Sequence, residues 1–150
     1  MRPAHQLLIG SVPPMQKKKE KDDMVNLFQQ GNFILHSGRE SFFRIECAAL
    51  TDADWETLAL LVARRFDFRK VIGIPRGGEK FAKALEKYCD SESQVILIVD
   101  DVLTTGQSMK EEQGRQQKEG ITIKGVVVFL RGCCPLWVWS IFQMESWRGI

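Results

Sequence analysis

The clearest structural signal in the chain is residues Val95–Ser108, VILIVDDVLTTGQS. The continuous apolar run Val95–Val99 is typical of a strand that is buried on both faces of a parallel sheet. Ligands of such a sheet bind outside the carboxyl ends of its strands, which is where Asp100 and Asp101 follow. We therefore predict an α/β fold built on an open parallel sheet, with a ligand site at this edge.

The loop after the two acids has the composition of a phosphate cradle. It leads into a predicted helix, whose free N–H groups and positive dipole end favour an anion. Thr104, Thr105 and Ser108 add hydroxyl donors. Gly106 lets the backbone approach a ligand closely, and Gln107 completes the segment. Carboxylates beside a phosphate would repel it unless they face sugar hydroxyls or a metal ion, so a ribose 5-phosphate suits the site.

The same order of strand, glycine-bearing loop and helix recurs along the chain. Three strands are predicted at Val71–Ile74, Val95–Val99 and Val126–Leu130. The two helices between them are predicted to end near Tyr88 and Lys118. Right-handed crossovers are expected between these strands. The apolar residues 136–142 fit a strand and a helix equally, so this tail is left unassigned.

The amino-terminal part is predicted to hold a leader, a hairpin and a helix. Residues 1–16 contain three of the five prolines without periodicity, which predicts a disordered leader, with 17–150 forming one domain. The charged cluster Lys17–Lys21 precedes apolar residues at helical spacing up to Phe28, which predicts a surface helix there. Short runs at 33–35 and 42–45 predict two strands. Thr51 begins a group of N-cap residues before an amphipathic helix that reaches Phe66.

Bulk properties exclude several classes of protein. A chain of 150 residues with 44% hydrophobic content has the make-up of one globular domain. The formal charge of +2 does not favour a nucleic acid partner. No apolar run approaches the roughly 18 residues of a membrane span, and no secretory signal is evident, so a cytoplasmic protein without a membrane partner is expected. The four cysteines form no CxxC pair and there are two histidines, so no zinc site is predicted.

Residues 95–108 resemble the diphosphoribosyl-binding motif of type I phosphoribosyltransferases, in which an apolar run and two acids precede Thr-Gly-x-Ser. The resemblance implies the Rossmann-like fold of that family, with a small amino-terminal hood. It also implies that Asp100 and Asp101 form the catalytic acid pair on the ribose hydroxyls, and that residues 104–108 hold the 5-phosphate. In the family, the loop equivalent to Arg76, Gly77 and Gly78 binds diphosphate, often through a strained peptide.

Residues 33–43, FILHSGRESFF, resemble the amino-terminal segment of the orotate phosphoribosyltransferases, whose Leu-Lys-Ser-Gly run helps to form the hood over the base. The resemblance implies that His36, Ser37 and Arg131 face the base. His36 stands where the family has a lysine, so a fixed positive charge is replaced by one that depends on pH. An exposed turn histidine is an equally good interpretation. The resemblance extends over roughly residues 30–132.

The chain departs from the family in one segment. Family enzymes insert a further strand and a mobile basic loop before the acid pair, whereas here only residues 88–94 intervene, without Lys, Arg or His. Two functions therefore stay open. The first is transfer of the 5-phosphoribosyl group of 5-phosphoribosyl-1-diphosphate to a nucleobase, orotate or a related pyrimidine, in pyrimidine nucleotide biosynthesis. The second is a regulatory protein that binds this diphosphate or a nucleotide without catalysis. A third interpretation is that the chain is a degenerate or truncated remnant of such an enzyme.

The resemblance also implies a cofactor and an oligomeric state. Mg²⁺ would be carried mainly by the diphosphate and the ribose, with Asp100 and Asp101 within reach. The family commonly forms dimers, so a homodimer is the implied assembly.

Overall fold

The computed structural model describes residues 25–144, and the predictions for residues 1–16 and for Lys17–Lys21 lie outside this range. The elements are β1 (Phe28–Ile34), β2 (Glu40–Ile45), α1 (Asp52–Ala63), β3 (Lys70–Gly73), α2 (Glu79–Leu85), β4 (Val95–Leu103), α3 (Gln107–Gln116), β5 (Thr122–Leu130) and β6 (Val138–Gln143). Short 3₁₀ turns lie at Cys47–Ala49 and Glu86–Tyr88. No helix within the described range is long and apolar enough to cross a membrane.

Strands β3 to β6 form one sheet in the spatial order β3-β4-β5-β6, and every neighbouring pair is parallel. The two central strands supply most of its buried residues, as their unbroken apolar runs require. Leu97, Ile98 and Val99 of β4 are completely buried. The predicted α/β fold with a parallel sheet is therefore confirmed.

Helices cover both faces of this sheet. On one face, α1 and α2 pack through Trp55, Phe81 and Leu85 against a core that includes Leu97. On the other face, α3 packs through Met109 against a core that includes the next residue of β4, Ile98. Because neighbouring strand residues point to opposite faces, β4 contributes to both cores in alternation.

The two helical crossovers have opposite hands. The steps from β3 to β4 and from β4 to β5 go in the same direction across the sheet, yet α2 and α3 lie on opposite faces. Moving the helix to the other face reverses the hand of the same step, so one of the two crossovers is left-handed. The prediction that the crossovers are right-handed is wrong for that one. Only residues 86–94 join α2 to β4, so the chain returns directly to the strand beside β3, which stays at the sheet edge.

The hood, residues 28–45, is a separate antiparallel pair of strands. Gly38, in the turn between its strands, has a φ of 79°, a left-handed conformation that glycine adopts without strain. The base of the hood packs on the sheet, where the Phe28 ring lies edge-on to Phe129 with their centroids 5.7 Å apart. The hood is thus fastened by aromatic packing at the end away from its turn.

The structure corrects some predicted boundaries. The helix expected up to Phe28 is wrong at that residue, which pairs with Ile45 in the hood instead, because the contact with Phe129 outweighs the helical spacing of nearby apolar residues. The unassigned tail contains β6, which pairs with β5. Helix α1 starts as predicted, since Thr51 caps it in a reciprocal capping box with Asp54, but it ends at 63 rather than 66.

Candidate functional site

The two acids lie inside the second half of β4 rather than in the loop after it. Both side chains are half-buried. The Asp101 N–H donates to the Asp100 carboxyl at 2.8 Å, and the Val102 N–H donates to the Asp101 carboxyl at 2.7 Å. Each carboxyl group is therefore held by the backbone N–H of the following residue. The pair lies near the carboxyl end of the sheet.

The two acids share their negative charge unequally. Burial, followed by the charge of neighbouring Asp101, raises the pKa of Asp100 from 3.8 to about 8. Asp100 therefore keeps its proton to a higher pH than an ordinary carboxyl group does. A protonated carboxyl donates one hydrogen bond as well as accepting others, so the pair offers both a donor and acceptors to a diol.

Cys47 is a neighbour of this pair that the sequence interpretation missed. It is buried, and burial together with the nearby Asp101 carboxylate raises the pKa of its thiol. The thiol stays protonated there and acts as a small neutral group against the acid. No local pattern identifies it, because Cys47 reaches the site through the 3₁₀ turn that follows the hood.

The loop after β3 packs directly against the acid pair. A Cβ atom added to Gly77 would overlap the Asp101 carboxyl group, and one added to Gly78 would overlap the Val99 carbonyl oxygen. The Pro75–Arg76 peptide bond is cis. Arg76 is exposed at the same edge. The structure thus brings the residues predicted to bind diphosphate next to those predicted to bind the ribose.

The predicted phosphate loop follows β4 and opens α3. Gly106 caps the helix in a left-handed conformation with a φ of 76°, which favours glycine at this position. The Gln107 N–H donates to the Thr105 hydroxyl at 3.4 Å. Buried Met109 anchors the first turn to the sheet, while Ser108 is exposed. The loop and the acids therefore border the same edge of the sheet.

A polar cavity of about 260 Å³ lies between the hood and this edge. Its lining residues come from both sides and are Leu35, Arg39, Glu40, Ser41, Thr104 and Arg131. Arg131 is thus placed on the predicted base side, whereas His36 and Ser37 lie in the exposed hood turn and do not line the cavity. The sequence interpretation missed Arg39, Glu40 and Ser41, although all three lie within the hood segment that it singled out.

A larger cavity of about 450 Å³ lies behind the hood and is lined almost entirely by apolar side chains, among them Phe28, Phe129 and Phe142. The only titratable group in its lining is Asp54, whose carboxyl caps α1. We take the smaller polar cavity as the candidate site, because it adjoins the phosphate loop through Thr104.

Several known proteins resemble this chain in sequence or in fold. No protein-family model matches the chain. The orotate phosphoribosyltransferase of Thermotoga petrophila is 30% identical over 120 residues, which include 62% of this chain and 64% of the relative. The crystal structure of orotate phosphoribosyltransferase from Aeropyrum pernix superimposes with a TM-score of 0.56 at 26% identity, covering 71% of this chain and 76% of that one. Leishmania donovani UMP synthase shares the fold, with a TM-score of 0.62 at 19% identity over 80% of this chain and 34% of that one.

These findings confirm the resemblance to orotate phosphoribosyltransferases and the type I phosphoribosyltransferase fold. The chain spans less than two thirds of the length of the curated relatives that it matches. The aligned 62% of its 150 residues is about 93, against 120 in the alignment, so the relatives carry about 27 positions without a counterpart here.

Proposed function

We propose that the chain binds 5-phosphoribosyl-1-diphosphate at the carboxyl edge of its sheet and transfers the 5-phosphoribosyl group to a nucleobase, orotate or a related pyrimidine, with release of diphosphate. The observation that carries this proposal is the convergence of four features on one edge. These features are the acid pair, the phosphate loop, the glycine loop against Asp101, and the polar cavity under the hood.

Each part of the substrate has a place in this arrangement. The 5-phosphate would lie in residues 104–108, at the start of α3. The ribose hydroxyls would meet the acid pair, and the diphosphate would lie against residues 76–78, with the exposed Arg76 guanidinium supplying charge. The base would enter the polar cavity beside Arg131. His36 and Ser37 would form its outer rim.

The proposed reaction is a dissociative displacement at the ribose carbon attached to the diphosphate. The bond to the diphosphate oxygen breaks, positive charge develops on the ring, and a base nitrogen supplies the electron pair of the new bond. The protein contributes by positioning the two reactants, not through a nucleophile of its own. Asp100, whose raised pKa favours the protonated form, would donate to one ribose hydroxyl while the Asp101 carboxyl accepts from the other.

Mg²⁺ fits the donor atoms of this site. It prefers carboxylate and phosphate oxygens, and Asp100 and Asp101 supply carboxyl oxygens beside the place proposed for the diphosphate. Within residues 25–144 no group of three or more His, Cys, Asp or Glu side chains is assembled for a metal. The ion would therefore be held largely by the ligand, where it would neutralise the diphosphate charge.

Binding without turnover is the second candidate, and the connection between α2 and β4 favours it. Residues 88–94 of this connection contain no basic residue, Lys87 at its start pairs with Glu56 of α1, and the connection has no segment long enough to cover the reacting atoms. For both candidates we also propose a homodimer, as the family resemblance implies, and a cytoplasmic location, as expected from the sequence.

Two measurements test the proposal. Calorimetry with 5-phosphoribosyl-1-diphosphate and Mg²⁺ should show binding that the double variant Asp100→Asn/Asp101→Asn weakens by at least tenfold. Asp67→Asn, an exposed acid that precedes β3 at the opposite end of the sheet, is the control and should bind like the parent. Equal binding by the double variant would contradict the site assignment. Diphosphate release with a panel of nucleobases then separates the candidates, since release only with a base supports transfer and binding without release supports a regulator.

A further inference from the structure

Arg131 connects the ligand edge of the sheet to the hood. Its main chain is fixed at the end of β5, where its N–H donates to the Leu103 carbonyl at 2.9 Å. Its side chain leaves the sheet and donates from Nη2 to the Ser41 hydroxyl at 2.7 Å and to the Phe43 carbonyl at 3.2 Å. The guanidinium also lies 4.0 Å from the centroid of the Phe43 ring. Three contacts therefore hold one cation on β2.

Ser41 completes a closed network around this contact. Its hydroxyl accepts from Arg131 and donates to the Phe43 carbonyl at 2.6 Å, so the carbonyl receives two hydrogen bonds. Arg131 is half-buried, so its guanidinium is partly withdrawn from water, and this burial lowers its pKa. Hydrogen bonds from a charged group in such a setting are stronger than those at an open surface.

We propose that Arg131 is a positioning residue that latches the hood to the ligand edge, with Ser41 as its partner on the hood. Among residues 25–144, the two hydrogen bonds of Arg131 are the side-chain hydrogen bonds that join hood residues 28–45 to the parallel sheet. The opposite end of the hood is held by the packing of Phe28 on Phe129. The latch therefore controls the end of the hood that borders the polar cavity.

The functional meaning of the latch rests on the proposed function. The cavity has one wall from the hood, through Leu35 and residues 39–41, and the other from Thr104 and Arg131. The latch sets the distance between these walls, whereas the acids and the phosphate loop belong to the sheet alone. Releasing it should therefore weaken binding of the base while leaving binding of 5-phosphoribosyl-1-diphosphate unchanged.

The latch itself is tested without any ligand, by hydrogen exchange of the peptide that contains β2. Arg131→Gln should speed exchange of these amides about tenfold, the change expected when hydrogen bonds from a charged group are lost at a partly exposed site. Arg131→Lys should give a smaller increase, because an ammonium group lacks the planar fork that serves two acceptors and the ring. Parent-like exchange in Arg131→Gln would overturn the proposal.

Arg39→Gln is the matched control. Arg39 lines the same cavity and loses the same charge in this variant, but its side chain makes no hydrogen bond within the described part of the chain. Its hood exchange should equal that of the parent, and an increase equal to that of Arg131→Gln would show that charge, not the latch, is responsible.

Ser41→Ala removes the partner of Arg131 on the hood, and it tests the latch even if Arg131→Gln fails to fold. It should also speed exchange of β2, and the double variant Arg131→Gln/Ser41→Ala should exchange little faster than either single variant. Fully additive effects would overturn the latch.

Kinetics connect the latch to the proposed reaction. With turnover present, Ser41→Ala, which keeps the Arg131 guanidinium and removes its partner on the hood, should raise KM for the base about tenfold with little change in KM for 5-phosphoribosyl-1-diphosphate. If no variant or parent turns over, the proposed transferase fails, yet the exchange results still decide whether the latch exists.

Discussion

Gly77→Ala is the most direct test of the contact between the glycine loop and the acid pair. The added methyl group would overlap the Asp101 carboxyl group, which must then move. The backbone of Gly77 is not in the left-handed region, so alanine is compatible with its dihedral angles and the substitution tests this contact alone. Gly78→Ala is less informative, because its methyl group would overlap backbone atoms of Val99 and Ile74.

The expected size follows from what Asp101 loses when it moves. Its carboxyl group accepts the Val102 N–H at 2.7 Å, and a hydrogen bond to a charged group is worth about 1.5–3 kcal/mol. Inserting a methyl group into a packed site costs about 1–3 kcal/mol. Since the side chain can relax toward solvent, we expect the variant to lose about 1–3 kcal/mol of unfolding free energy. Its affinity for 5-phosphoribosyl-1-diphosphate should fall about tenfold to hundredfold.

The assay combines chemical denaturation with calorimetric binding of 5-phosphoribosyl-1-diphosphate and Mg²⁺. Gly114→Ala in α3 is the control, because its methyl group would meet no atom within 4 Å. It should stabilise the protein by about 0.5–1 kcal/mol, as alanine does in place of glycine in a helix, and leave binding unchanged. The reasoning about Asp101 is refuted if Gly77→Ala binds and unfolds like the parent.

Two further predictions concern Asp100 and the start of α1. Because the pKa of Asp100 is raised from 3.8 to about 8, the folded protein binds a proton there that the unfolded chain releases, so this contribution to stability is complete below pH 4 and is lost as the pH rises toward 8. Thermal unfolding from pH 4 to pH 9 should show a falling midpoint that Asp100→Asn flattens, and parallel curves for parent and variant would contradict this. Thr51→Ala should remove the capping box and cost about 1 kcal/mol in denaturant unfolding, whereas Thr57→Ala, within the helix, should cost less. Equal losses in the two variants would argue against the capping contribution.

The fold was largely predictable because the central sheet strands can be recognised from their own runs of apolar residues. The run Val95–Val99 has the length and composition of a buried strand, but the strand in the structure continues beyond the predicted end at Val99. In the structure, β4 pairs with β5 up to Leu103, which lies opposite Leu130. A local sequence pattern cannot show where pairing between two strands stops. Phe28 shows the opposite case, in which the local pattern misleads. Its spacing from neighbouring apolar residues is helical, but it contacts Phe129, a residue 101 positions away in the sequence.

The candidate site was predictable only where its residues are adjacent in sequence. Asp100 and Asp101 and the loop after them form one continuous motif, and the structure places it at the expected edge. The bond between Ser41 and Arg131 spans 90 positions, so neither residue indicates the other. Cys47 likewise reaches Asp101 only through the packing of the hood on the sheet. The resemblance assigned His36 and Ser37 to the base, but both are exposed in the hood turn and neither lines the cavity.

The short connection between α2 and β4 bears on how the protein could accelerate the reaction. The connection between α2 and β4 returns directly to the adjacent strand, so within the described residues no segment from this side reaches over the diphosphate. Under the proposed function, residues 104–108 would hold the 5-phosphate, which does not change during the reaction, and such uniform binding does not lower the barrier. The same proposal makes the rate depend on the geometry in which the base meets the ribose carbon, and the hood supplies one wall of the cavity proposed for the base. If the chain turns over, its rate should therefore depend more steeply on Arg131 and Ser41 than its affinity for 5-phosphoribosyl-1-diphosphate does.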